Sequence, residues 1–237
     1  MVARLKFLKN IVIFIVVLAV ALPVLVLANG YRQYCAALEK MPLEEKVAEI
    51  QSIDNYCELS RLPENYINAV VAVEDRRFFS HNGFDLIGIV RAVWVDIKTR
   101  SLKEGGSTIS QQLAKNMYFP QDNTIERKIA EIFMAVHIEK EYSKEDVLEL
   151  YFNCIYYGSG YYCVYDAAMG YFGKGPEMMN DYECTLLAGV PNAPSAYSPK
   201  VNPDLAHNRQ EKVLSTMVEC GYIDKEKQAE ILAVQNK

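Results

Sequence analysis

The sequence predicts a mainly α-helical fold in which one globular domain follows a single N-terminal transmembrane helix. The first observation is an uncharged, apolar stretch of 18 residues, from Ile11 to Ala28. The second is a series of later segments in which apolar residues recur with helical periodicity. Prolines and glycines concentrate at 158–175 and 191–203, which indicates loops there.

The apolar stretch has the length of a membrane-spanning helix, since a bilayer requires about 20 apolar residues. Three cations precede it, and an excess of cations marks the cytoplasmic side of a membrane. We therefore predict a cytoplasmic N-terminus (1–10), a transmembrane helix (11–28), a juxtamembrane connector (29–62) and a domain (63–237) on the periplasmic or extracellular side of the inner (plasma) membrane. The alternative is a cleaved signal peptide that ends at Ala28, although such peptides usually have a shorter apolar core of about 7 to 15 residues.

Within the domain, periodicity predicts a succession of helices. Ser143, followed by Glu145 and Asp146, has the pattern of a helix N-cap with acidic first-turn residues. The predicted helices cover residues 65–79, 86–99, 108–117, 125–142, 144–153, 165–171, 181–190, 203–220 and 225–234.

Charge and cysteine content argue against two classes of protein. The formal net charge is −5, and the three N-terminal cations leave the rest of the chain more acidic still. Nucleic acid is not an expected partner, because phosphate backbones require a basic surface. The six cysteines have no C-x-x-C spacing, which argues against zinc. We predict a disulfide between Cys35 and Cys57 as the first pairing to test, and small buried thiols at Cys154, Cys163 and Cys184.

One acid interrupts an apolar helix face. Ile67, Val70, Val71 and Phe78 share a face of the predicted helix 65–79, and Glu74 lies only about 20° from that face on a helical wheel. Such a residue is either a structural charge with a buried partner or a carboxyl group whose pKa is raised by burial. The second case suits a general base or acid. Periodicity alone does not choose between them.

Residues 75–85 and 105–116 form two clusters of polar and aromatic side chains. In the first, an ion pair of Asp75 with Arg76 or with a distant residue, and a helix cap at His81, are the simpler explanations. The second places a diglycine and two hydroxyls ahead of a helix that carries adjacent amides. Such a helix N-terminus can bind an anion or a sugar oxygen, or its polar residues can simply cap the helix.

A third cluster combines cations with an acid. Arg127 and Glu131 are four residues apart, which fits a surface ion pair of about 0.3 to 0.5 kcal/mol. Apolar residues continue the same helix stripe, however, which favours the wall of a groove. Lys115, Arg127 and Lys128 are therefore the candidate cations for a diphosphate in an otherwise acidic domain.

Six ordered blocks resemble the glycosyltransferase domain of class A penicillin-binding proteins and their monofunctional relatives, the peptidoglycan glycosyltransferases. Each block is weak evidence by itself, but their order and spacing over residues 63–223 make the match specific. The blocks are Glu74-Asp75-Arg76-Arg77-Phe78 with His81-Asn82-Gly83, then residues 105–116, Arg127-Lys128 with Glu131, residues 144–153, Tyr156-Tyr157-Gly158 with Tyr171-Phe172-Gly173-Lys174, and residues 188–195.

This resemblance implies a lysozyme-like helical fold with two lobes around a groove, one lobe dipping an apolar surface into the membrane. It implies an enzyme that polymerises lipid II into β-1,4-linked glycan strands, with inversion and release of undecaprenyl diphosphate. Glu74 matches the general base, and Glu131 the second carboxylate, which stabilises the reacting sugar or leaving group. The matching substrate-binding positions are Asp75, Phe78, His81, Ser107, Thr108, Gln111, Gln112, Lys115, Arg127 and Lys128, the last three near the diphosphate.

The resemblance also implies partners. These are lipid II and the growing lipid-linked glycan, the bacterial membrane, and a transpeptidase or other cell-wall synthesis protein. No cofactor is expected to be required, although a divalent cation at the diphosphate is compatible with the chemistry. No set of S-x-x-K, S-x-N and K-T-G motifs follows the last block, so we expect no transpeptidase activity from this chain.

Three positions depart from the family pattern. Asn123 replaces a usual arginine that would contact the diphosphate, Cys163 a usual glycine and Asp166 a usual alanine. Two alternative functions stay open beside glycan synthesis. One is a lysozyme-like enzyme that cleaves glycan, which also uses paired carboxylates. The other is a catalytically silent membrane scaffold for cell-wall synthesis.

Overall fold

A computed structural model of the 237-residue chain describes residues 2–99, 106–119 and 124–234. These residues form eleven α-helices and four short 3₁₀ turns, and they contain no β-strand. The prediction of a mainly helical fold is confirmed. The helices are α1 (Val2–Lys40), α2 (Leu43–Gln51), α3 (Glu64–Glu74), α4 (Leu86–Thr99), α5 (Ile109–Tyr118), α6 (Ile125–Glu141), α7 (Lys144–Cys154), α8 (Val164–Phe172), α9 (Asp181–Gly189), α10 (Pro203–Glu219) and α11 (Lys225–Ala233).

Helix α3 ends at Glu74, whereas the predicted helix 65–79 continued to residue 79. Asp75 leaves the helical conformation, with φ −156° and ψ 74°. Its carboxylate accepts a hydrogen bond from the backbone N–H of Ile109 at 3.1 Å. This contact joins parts of the chain that are distant in sequence, so local periodicity carries no sign of it. Phe78 consequently lies in a separate 3₁₀ turn, Phe78–Ser80.

Helix α1 extends beyond the predicted membrane segment 11–28 in both directions. Its stretch Lys9–Lys40 is long and apolar enough to cross a membrane. No other helix among the described residues meets these criteria, although a signal sequence would also meet them. The C-terminal part of α1 packs against α6. Gly30 allows this close approach, since a Cβ atom there would lie 2.5 Å from Ile129 Cγ2. Tyr34 OH lies 3.0 Å from His137 Nδ1 in the same contact.

The predicted connector 29–62 is part of the packed structure rather than a loose link. It contains the end of α1 and all of α2. Leu43, Val47 and Ile50 of α2 are buried in the main core. The domain boundary at residue 63 stays a prediction.

The other helices pack in two groups that meet beside the candidate site. One group contains α3, α9 and α10, and the other contains α5, α6 and α7. Tyr66 of α3 joins them, because its ring packs on Phe152 of α7 at a centroid distance of 5.1 Å and its hydroxyl lies 2.9 Å from Tyr157 OH. All three rings are fully buried, and burial of a large apolar side chain stabilises a fold by about 1.5 to 3 kcal/mol. Helix α3 is therefore held firmly against α7.

The predicted disulfide between Cys35 and Cys57 is wrong, because all six cysteines are free thiols in the structure. Cys35 is exposed on α1, whereas Cys57 is buried and its N–H donates to Asn153 Oδ1 at 2.8 Å. Burial raises the pKa of Cys57 to about 11. Of the thiols predicted as buried, Cys163 and Cys184 are buried, and Cys154 is partly exposed.

Candidate active site

A cavity of about 300 Å³ lies between the two groups of helices. It shares Gln112, Lys115, Pro191 and Asn192 with a second cavity of about 670 Å³, so the two form one continuous groove. Eight of the predicted site residues line the smaller cavity: Glu74, Ser107, Gln111, Gln112, Lys115, Arg127, Lys128 and Glu131.

Glu74 enters the cavity from the last residue of α3, and its side chain is only 6% exposed. Gln112 Nε2 donates a hydrogen bond to Glu74 Oε2 at 2.7 Å, and Arg209 Nη2 lies 3.7 Å from Glu74 Oε1. Burial raises the pKa of Glu74, although the bond from Gln112 and the charge of Arg209 both act to lower it. A carboxyl group with a raised pKa beside an open cavity is suited to accept a proton.

Glu131 occupies the opposite kind of environment. Its carboxylate lies 3.2 Å from Arg127 Nε and 3.0 Å from Lys128 Nζ, and its side chain is 1% exposed. Lys128 Nζ also donates to Ser107 Oγ at 2.7 Å. The simpler explanation of a surface ion pair is therefore wrong for Arg127 and Glu131. The buried carboxylate holds two cations in place on the cavity wall, where they can face an anionic group.

The N-terminus of α5 supplies the amides. Thr108 is the N-cap, and it forms a capping box with Gln111. The Thr108 hydroxyl also donates to the carbonyl oxygen of Gly83 at 2.8 Å. Gln111 lines the cavity and uses its amide oxygen to accept from Thr108 N–H at 3.3 Å, whereas the side chain of Gln112 is directed to Glu74.

Four predicted substrate-binding residues, Asp75, Phe78, His81 and Thr108, lie behind the cavity wall. Asp75 Oδ2 is 2.9 Å from His81 Nε2, and it also accepts the bond from Ile109 N–H that links α3 to α5. Phe78 is fully buried, with Lys144 Nζ 4.2 Å from its ring centroid. Asp75 pairs with His81 instead of Arg76, so the predicted Asp75–Arg76 ion pair is wrong. His81 does cap a helical turn, because it is the C-cap residue of Phe78–Ser80, but its side chain points inward. The structure gives these residues a supporting position, and their contact with substrate stays a prediction.

Sequence reasoning missed Arg209, Tyr151, Pro191 and Asn192. Arg209 comes from α10, far along the chain from Glu74, and no local pattern marks it. Gly189 gives it room, since a Cβ atom there would lie 2.9 Å from Arg209 Cγ. Tyr151 is fully buried, and its hydroxyl donates to Gln112 Oε1 at 3.2 Å.

Metal binding has little support from the side chains. The described part of the chain contains no group of three or more His, Cys, Asp or Glu residues that could hold a metal ion. Glu131 in the cavity is already paired with two cations. The lining therefore fits an anion better than a metal. Asn123, the departure nearest the predicted diphosphate contacts, lies outside the described residues.

Known proteins match most of this chain. The family described as Transglycosylase matches residues 43–218. A protein of Cupriavidus necator named "Putative transglycosylase" is 40% identical over 190 residues, which cover 80% of this chain and 82% of that protein. Penicillin-binding protein 1A of Aquifex aeolicus is 45% identical over 175 residues, which cover 74% of this chain and 24% of that protein.

A crystal structure of penicillin-binding protein 1A from Haemophilus influenzae aligns with a TM-score of 0.45 and 24% identity, over 75% of this chain and 17% of that one. The chain thus spans most of the relative from Cupriavidus necator and about a quarter or less of the two penicillin-binding proteins. The sequence matches define the class as a peptidoglycan glycosyltransferase. The chain belongs to the Transglycosylase family.

Proposed function

We propose that this chain polymerises lipid II into β-1,4-linked glycan strands and releases undecaprenyl diphosphate. The observation that carries the proposal is the pairing, in one cavity, of a buried carboxyl group with a raised pKa and a set of cations. Glu74 supplies the first, and Lys115, Arg127 and Lys128 supply the second. Glycosyl transfer from a lipid diphosphate needs both, because the acceptor hydroxyl must lose a proton while the leaving group gains negative charge.

In the proposed reaction, Glu74 removes the proton from the 4-hydroxyl of the acceptor sugar as that oxygen attacks the anomeric carbon of the growing strand. The new C–O bond forms on the face opposite the leaving group, so the configuration inverts. The bond from the anomeric carbon to the diphosphate oxygen breaks, and the electron pair leaves with the diphosphate. Arg127 and Lys128, held by Glu131, stabilise the charge that develops there.

We also propose that α1 anchors the enzyme in the membrane, with the domain on the outer side. The side chains of α1 from Ile11 to Leu27 are largely exposed and apolar. A second exposed apolar surface on and next to α4 would contact the outer leaflet. It comprises Phe84, Leu86, Ile87, Val90 and Trp94. Both surfaces suit an enzyme whose substrate is embedded in lipid.

The decisive experiment is polymerisation of purified lipid II by the detergent-solubilised protein, with glycan length read on a gel. We expect long strands from the wild type, no cross-linking, and a loss of about 100-fold to 10,000-fold in rate for Glu74→Gln, as for removal of a general base. Glu64→Gln is the matched control, since Glu64 is exposed in the first turn of the same helix, and it should retain wild-type activity.

Three outcomes would contradict the proposal. Shortening of preformed strands without polymerisation would identify a glycan-cleaving enzyme. No glycan synthesis or cleavage by either the wild type or Glu74→Gln would identify a scaffold without catalytic activity, and equal synthesis by both would show that Glu74 is not the base.

A further inference from the structure

The side chain of Gln112 lies between Glu74 and Tyr151. Its amide nitrogen donates to Glu74 Oε2 at 2.7 Å, and its amide oxygen accepts from Tyr151 OH at 3.2 Å. An ionised carboxylate can only accept hydrogen bonds, so the amide nitrogen must face Glu74 whenever Glu74 is charged. The amide oxygen then necessarily faces Tyr151.

Tyr151 opposes the alternative orientation of that amide. Its hydroxyl is fully buried, and Gln112 is its one hydrogen-bond partner within the described residues. If the amide turned over, two oxygens would face each other at Glu74, and the Tyr151 proton would lose its acceptor. A buried donor without an acceptor is unfavourable. Burial, with the nearby charge of Glu74, raises the pKa of Tyr151 well above its ordinary value, so the hydroxyl keeps its proton.

We propose that Tyr151 is a positioning residue that acts through Gln112 to keep Glu74 ionised and aimed into the cavity. The inference deepens the proposed function, because it rests on Glu74 serving as the base. Tyr151 itself does not need to touch the substrate. It favours the orientation in which the Gln112 amide nitrogen donates to Glu74, and this orientation supports the ionised form of the base.

Other groups around Glu74 do not replace this contact. Arg209 approaches from α10 at 3.7 Å and lowers the pKa of Glu74 less than Gln112 does, while Asp75 raises it. The charged groups that share the cavity with Glu74 are Lys115, Arg127, Lys128 and Glu131. Two of those three cations are already paired with Glu131. If the Gln112 side chain loses its fixed orientation, the pKa of Glu74 should therefore rise.

The test is a direct titration of Glu74. Protein labelled with ¹³C at the glutamate side-chain carboxyls is titrated in detergent micelles by NMR, and the Glu74 signal is the one missing from Glu74→Gln. For Tyr151→Phe we expect the midpoint to rise by about half a unit to one unit, which is about a threefold to tenfold change in the ionisation equilibrium. An unchanged or lowered midpoint would overturn the inference.

Tyr157→Phe is the matched control. Tyr157 is equally buried, and its hydroxyl contacts Tyr66 OH at 2.9 Å instead of Gln112. It should leave the Glu74 midpoint unchanged. An equal shift in both variants would show a general effect of losing a buried hydroxyl and would also overturn the inference.

A second variant, Gln112→Met, removes the amide at similar length. It should raise the Glu74 midpoint, and adding Tyr151→Phe to it should raise the midpoint no further, since the two residues act in series. Additive shifts would contradict that coupling. If Tyr151→Phe folds poorly, Gln112→Met alone still tests the contact, because an unchanged Glu74 midpoint in that variant would overturn the inference.

The pH dependence of polymerisation separates this inference from the proposed function. Tyr151→Phe should lose about threefold to tenfold in rate below the Glu74 midpoint and approach the wild-type rate well above it. A uniform loss at every pH would refute a role through ionisation. If the wild type makes no glycan but the NMR midpoint still moves as expected, the proposed function fails and the Tyr151–Gln112–Glu74 coupling stands.

Discussion

The two carboxylates of the cavity are almost equally buried, yet their surroundings are opposite. Glu131 lies between Arg127 and Lys128 at 3.2 and 3.0 Å. Glu74 has one amide donor at 2.7 Å, and its nearest cation is 3.7 Å away. Glu131 is thus a compensated charge that organises cations, whereas Glu74 is only partly compensated and has a raised pKa. The same residue type can serve as scaffold or as base, and the partners decide which.

The largest effect that would sharpen this contrast is expected from Glu131→Gln. It leaves Arg127 and Lys128 without their shared acid, so we expect a loss of at least about 100-fold in polymerisation rate, mostly through weaker stabilisation of the leaving group. The free energy of unfolding should also fall, because the two cations lose their buried acid. We expect a decrease of only about 1 to 3 kcal/mol, since Lys128 is partly exposed and solvent screens its pairing. Urea unfolding beside the lipid II assay measures both. Unchanged stability would mean that Glu131 does not organise the cations.

The contact between α1 and α6 offers a way to disturb the Glu131 side alone. Gly30→Leu would force a side chain into Ile129 and displace α6, which carries Arg127, Lys128 and Glu131. We expect about a tenfold loss of polymerisation with the Glu74 titration midpoint unchanged. Ala36→Leu, at an exposed position of α1, is the control and should behave as wild type. A shift at Glu74 would show that the two sides are not independent.

The pH dependence of stability should report the raised pKa of Glu74. A carboxyl group with a raised folded-state pKa binds more protons in the folded than in the unfolded state, so its contribution to stability falls as pH rises from the unfolded to the folded pKa. Glu74→Gln removes that penalty. At pH values above the folded-state pKa of Glu74, the variant should be more stable than the wild type by about 1.4 kcal/mol for each unit by which folding raises that pKa. Below about pH 4 it should show no gain in stability. Urea midpoints at acidic and neutral pH provide the measurement, and a destabilised variant at neutral pH would refute the contrast.

The smallest effect is expected from chelation of divalent cations. If the cations held by Glu131 are enough to stabilise the diphosphate, EDTA should change the polymerisation rate by less than about twofold. The measurement is the lipid II assay with EDTA, followed by added Mg²⁺. A strong loss that Mg²⁺ restores would show that a metal bound at the diphosphate supplements the protein's own cations.

Local sequence signals predicted the helices and the burial of Glu74, because periodicity records which side of a helix faces the core. They also predicted the Ser143 cap, which forms a capping box with Asp146. They failed where distant parts of the chain meet. The end of α3 depends on a bond from Ile109, and Arg209 reaches Glu74 from α10. Neither contact can be predicted from the pattern of apolar residues in the helices involved.

The fixed contact between α1 and α6 has a consequence for how substrate reaches the enzyme. Gly30, only two residues beyond the predicted membrane segment, packs on Ile129, so α6 begins close to where α1 would leave the bilayer. From residue 29 to Lys40, α1 rises only about 18 Å at 1.5 Å per residue. With the proposed anchor, the cavity would stay at one height above the lipid headgroups. Enzyme and substrate would then meet by lateral diffusion in the plane of the membrane, a route that is not open to a water-soluble sugar donor.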